Sequence, residues 1–122
     1  MVKFINIIFI LFLFIGCQKK NSYIEQNSIN ITIKNNSNND IYNLKVLFYK
    51  GNFSVYKIEK KQSFSKAIKP TGDSGLAIKY KINNKLVNKK LGIYFSKGMR
   101  GNILIKINSL NEIDIENNLT IN

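Results

Sequence analysis

The chain has 122 residues, a formal net charge of +12, one cysteine, no histidine and no tryptophan. That is one domain's worth of chain, without the material for an internal disulfide, for histidine-based acid–base catalysis or for the commonest kind of metal centre. Isoleucine, asparagine and lysine dominate, and A/T-rich codons spell all three, so the charge reflects either coding bias or attraction towards anionic lipid or wall polymer.

Met1, Val2 and Lys3 make a short basic start. Phe4 to Ile15 follow as an apolar run of about twelve residues broken by Asn6. A membrane-spanning helix needs ~20 such residues, whereas this length matches the apolar region of a signal peptide. Phe14-Ile15-Gly16-Cys17 comes next, then the polar Gln18-Lys19-Lys20. Small Gly16 suits a peptidase pocket, and Cys17 supplies a thiolate able to take a diacylglycerol group. The segment resembles the lipobox of bacterial lipoproteins, with Phe14 standing where leucine is usual. The resemblance implies that residues 1–16 are a signal peptide removed before Cys17. It also implies that lipid on Cys17 holds the mature chain on the extracytoplasmic face of the cell membrane. Residues 17–28 then form the anchor and a polar tether; its last eleven residues, 18–28, reach about 36–40 Å when extended.

From Ile29 the apolar period becomes two. Ile29, Ile31 and Ile33 alternate with Asn30, Thr32 and Lys34, the mark of a half-buried strand. Asn35 to Asp40 reads as a turn cluster. Tyr42, Leu44, Val46 and Phe48 predict a second strand with those four side chains inward. Residues 53–60 and 62–69 read as weaker strands. In the latter, Lys66 shares the parity of Phe64 and Ile68, which suits a sheet edge. The stretch 70–75 is a loop. Leu76, Ile78 and Tyr80 mark the next strand, and Asn83-Asn84 predicts a tight hairpin because asparagine tolerates positive φ. The return strand covers 86–95, with a bulge near Gly92. Residues 96–101 read as a loop, Ile103, Ile105 and Ile107 as a strand, and Ile113 and Ile115 as a short last one.

This pattern predicts an all-β fold: a small antiparallel β-sandwich of seven or eight strands over residues 29–122. The strand order resembles an immunoglobulin-like sandwich, although the Cys-Trp-Cys core is missing. That resemblance implies that the first, second and fifth strands share a sheet.

Enzymatic chemistry is poorly supplied. Ser63 and Lys66 have the spacing of a Ser-x-x-Lys motif, but in a strand residues three apart point to opposite faces. Glu112, Asp114 and Glu116 share one face of a strand, and Asp73 sits in a turn without a second carboxylate beside it; neither reads as a metal site. No cofactor, nucleic-acid partner or small-molecule substrate is expected. Two features stand out. Lys34, Lys45, Lys79 and Lys81 fall on outward parities, as a solvated face or as an anion-facing one. Tyr94 and Phe95 are adjacent, so one must point outward, close to Lys97 and Arg100; these four read as a covered cluster or as a binding surface. The expectation is a non-catalytic binding or protective module at the envelope, such as an immunity protein or the subunit of an envelope complex, with a protein partner. The alternative is an electrostatic binder of anionic lipid or wall polymer.

Overall fold

In the computed structural model, residues 28–121 are described. The expected signal peptide, Cys17 and all of the tether but Ser28 lie outside the described residues. Nine strands and no helix occur among them: β1 (Ile29–Asn35), β2 (Ile41–Phe48), β3 (Gly51–Ile58), β4 (Ser63–Ile68), β5 (Ser74–Ile82), β6 (Lys85–Phe95), β7 (Met99–Ser109), β8 (Glu112–Asn117) and β9 (Thr120–Ile121). One sheet has the order β4-β1-β7-β8, with β9 paired to the start of β7; the other has the order β3-β2-β5-β6. The chain is therefore a small β-sandwich, as the period-two alternation predicts.

The strand order is not the expected one. β1 sits in the first sheet, whereas β2 and β5 lie at the centre of the second. The cause is the segment after β1. Residues 36–40 do not fold back as a hairpin but cross between the sheets, held by buried Asn35 and Ser37. The sandwich is also not wholly antiparallel, because β1 and β7 run parallel, with Ile33 beside Ile105.

Local sequence explains most of the rest. Asn83 and Asn84 both adopt left-handed backbone, with φ of 50° and 60°, and close the β5–β6 hairpin tightly. The bulge in β6 faces Gly75 and Leu76 and spans Gly92 and Ile93. The second strand departs from the reading. Asn43 has φ of 50° and marks a shift in register against β5, which turns Tyr42 outward and Ile41 inward. Lys66 is exposed on edge strand β4 despite its parity.

The core lies between the sheets. Its buried apolar side chains run from Ile29 to Ile107. One polar group is buried there without a match: the Tyr80 hydroxyl has no hydrogen-bond partner among the described residues. Burial pushes its pKa up from 10.0 to about 12. The native state thus favours neutral phenol. Its contribution is complete below pH ~10 and is lost as pH rises through the folded value. Tyr80→Phe should be near neutral in stability at pH 7. The wild type should lose on the order of 2–3 kcal/mol more than the variant between pH 10 and 12, as read by urea unfolding. Parallel alkaline profiles for the two proteins would contradict this.

Candidate binding face

β3, β2, β5 and β6 contain seven lysines and no carboxylate, so the outer face of this sheet has no internal counter-charge. Register aligns the side chains into rows. Lys45 lies directly opposite Lys79, and Lys79 opposite Asn88. Tyr42 pairs with both Lys57 and Lys81, and Lys81 with Leu86. Leu47 and Ala77 lie in the next row, beside Lys90. Like charges directly opposite on antiparallel strands cost about 0.2–1 kcal/mol, so Lys45 and Lys79 oppose folding slightly.

Among the described residues, only the corner at Lys57 is neutralised. Lys57 lies 3.7 Å from the Asp40 carboxylate and 3.8 Å from that of Glu59. Tyr42, and then these carboxylates, raise its pKa above the ordinary lysine value. Tyr42 and Tyr56 meet edge to face at 6.1 Å, and the Lys57 ammonium lies 5.7 Å from the Tyr42 ring centre. The first sheet differs: outward Lys106 contacts Glu116 at 2.9 Å and pairs across strands with Asp114.

Two depressions flank the lower ends of the strands. A cleft of about 410 Å³ on the lysine-bearing side is lined by Leu47, Tyr49, Asp73, Ala77, Lys90 and Tyr94, among others. The Tyr94 ring lies across Gly75, 3.5 Å from where a β-carbon there would sit. A groove of about 540 Å³ on the first sheet's side is lined by Ser28, Asn30, Arg100, Asn102, Asn118 and Thr120.

These placements regroup the residues singled out in the sequence. Lys45, Lys79 and Lys81 do share an exposed face, but Lys34 is on β1, in the other sheet, opposite Ser63 and Lys106. Tyr94 points outward, 80% exposed, whereas Phe95 is 2% exposed and belongs to the core. Lys97 is exposed in the turn between β6 and β7, and Arg100 is exposed on β7. Tyr94 and Arg100 therefore line different depressions on different sheets. Lys57, Lys90 and the pairing of Tyr42 with Tyr56 were missed, although Tyr56 is one of several aromatic residues too many for one thin core. For Lys90 the signal was its parity with Asn88; for Tyr42 the bulge hid it. Among the described residues there is no group of three carboxylate, cysteine or histidine side chains able to hold a metal. No helix there is long and apolar enough to cross a membrane.

No family model matches the sequence, and no curated protein is similar to it. A solved structure, the NMR structure of a protein from Eubacterium rectale, is similar in fold, with a TM-score of 0.53 and 11% identity over 76% of this chain and 90% of that one. At that identity the likeness speaks for the sandwich alone.

Proposed function

We propose that this chain is an extracytoplasmic lipoprotein, lipidated on Cys17 after loss of residues 1–16, whose sandwich is a non-catalytic binding module. The carboxylate-free lysine face of the second sheet carries the reading, and its partner is an anionic polymer of the envelope. Coding bias alone explains many lysines; what sets the second sheet apart is that its seven strand lysines meet no carboxylate on its own strands, whereas the first sheet has three on β8, one of which answers Lys106. Strand addition is a poorer mode of binding, since edge strands β3, β4, β6 and β8 each carry at least one charge that discourages pairing. The cleft between Tyr49 and Tyr94 favours a second reading, an envelope protein as partner, as for an immunity protein or a complex subunit.

One experiment separates these readings. Lys45, Lys79, Lys81 and Lys90 changed together to Gln should abolish retention on a polyanionic matrix, and about 0.5 M salt should do the same to the wild type. Lys34→Gln is the control and should change little. A protein partner should survive that salt and depend on Tyr94 instead. Retention unaffected by the four substitutions would end the polyanion reading. Mass spectrometry of the same protein should find Cys17 acylated and N-terminal; free Cys17 behind an intact Met1 would end the lipoprotein reading.

A further inference from the structure

We infer that the end of the sandwich from which the tether leaves is a docking surface for an anionic bilayer, so that the domain stands on its membrane with the strands upright. The inference rests on the lipid-anchor reading for its setting, and on the following geometry for its content.

The connections fall into two groups. Ser28 accepts a hydrogen bond from the amide of Gly101, which places the end of the tether beside the start of β7. The β2–β3 turn, the β4–β5 loop and the β6–β7 turn gather at the same end, because Phe48 faces Gly51, Ile29 faces Ile68, and Ser74 faces Phe95. The Tyr49 amide donates to the Ser74 hydroxyl at 2.8 Å, which ties two of these connections together. Residues 36–40, 59–62, 83–84 and 110–111 lie at the opposite end.

The two ends differ in charge and in apolar character. Among the described residues, the tether end presents Lys50, Lys69, Lys97 and Arg100, all exposed, against the single carboxylate of Asp73. The far end opposes Lys60 and Lys61 with Asp40 and Glu59. The tether end also exposes Tyr49 and Tyr94. Tyrosine has an apolar ring and a polar tip, and it settles at the headgroup level of a bilayer. Lysine and arginine within a Debye length of an anionic leaflet are attracted to it. The tether does not impose this contact. Eleven residues can span at most about 36–40 Å, a length that does not by itself fix an orientation, so the upright pose needs the attraction that these loops supply. It also leaves the lysine face of the second sheet turned sideways, free for a polymer.

Lysine footprinting of the full mature chain in nanodiscs tests the pose without substitution. An amine-reactive ester followed by mass spectrometry reports each lysine. On discs containing phosphatidylglycerol, Lys50, Lys69 and Lys97 should be modified several-fold more slowly than in detergent, while Lys60, Lys61 and Lys85 should not change. The protection should vanish on discs of phosphatidylcholine alone and in high salt. Arg100→Gln with Lys69→Gln should weaken protection at Lys50 and Lys97. Equal modification at both ends overturns the proposal. So does protection at Lys45, Lys79 and Lys81, which would mean that the domain lies on its lysine face. The same digest reads the mass of Cys17. If Cys17 is unacylated, the anchor reading fails, and the footprint of that chain on phosphatidylglycerol vesicles still decides the pose: protection of the tether-end lysines upholds it and uniform modification overturns it.

Discussion

Replacing Ile105 by alanine is expected to destabilise the domain by about 2–5 kcal/mol. Ile105 is 0% exposed on β7, an interior strand of its sheet. Its neighbours in register are Ile33 on the parallel side and Ile115 on the antiparallel side. Alanine leaves a cavity whose walls are β-branched side chains on paired strands, and such walls relax poorly. A domain of this size has a total stability of roughly 5–15 kcal/mol, so the change removes a large share of it. The urea midpoint should fall while the slope of the transition is kept, because the same surface is exposed on unfolding. Ile115→Ala, at a half-buried site on edge strand β8, should cost less than half as much. A loss below about 0.5 kcal/mol for Ile105→Ala would mean that this face is not packed as described.

Ile105 also illustrates what could be read without coordinates. Strict alternation at 29–33, 76–80 and 103–107 names both the strands and their inward side chains, because period two admits no other regular structure. Asn83-Asn84 names its own hairpin, since two adjacent residues must take positive φ. Sheet membership was not legible. It depends on whether a connection turns back or crosses over, and residues 35–40 look the same in letters for either outcome. The failure spread to the candidate site. Lys34 is outward by parity, as expected, but parity is a property of one strand and does not say which face of the sandwich the strand belongs to. Tyr42 was lost for a related reason, since one bulge at Asn43 exchanges the two faces of everything before it. Phe95 and Tyr94 could have been separated by parity, because Leu91, Ile93 and Phe95 alternate inward straight through the bulge, whose two extra residues exchange no face.

Asn35 is the residue on which the crossing depends, and its substitution should have the second large effect. Its side chain is fully buried where β1 ends. The amide nitrogen donates to the carbonyls of Asn39 at 2.8 Å and Ile58 at 3.0 Å. The amide oxygen accepts from the Ser37 backbone at 3.0 Å and from the Ser37 hydroxyl at 2.6 Å. Ile58 ends a strand of the second sheet, so this one side chain joins the two sheets and fixes the crossing loop. Asn35→Ala takes this partner from the Ile58 carbonyl and the Ser37 amide and leaves the Ser37 hydroxyl and the Asn39 carbonyl bonded only to each other, at an expected cost of about 2–4 kcal/mol. Asn35→Asp is the sharper test, because the shape is kept and only the donors change. A carboxylate would face the Asn39 and Ile58 carbonyls, and even a protonated carboxyl could donate to only one of them. Burial and those carbonyls raise the folded-state pKa of the new group above its unfolded value of about 3.9. The variant should therefore be least impaired at low pH and lose stability as pH rises from about 4 through the folded value, relative to the wild type. Denaturant titrations of both proteins between pH 4 and 8 measure this difference directly. A difference that does not change with pH would show that residue 35 is not enclosed by the loop it is described as holding.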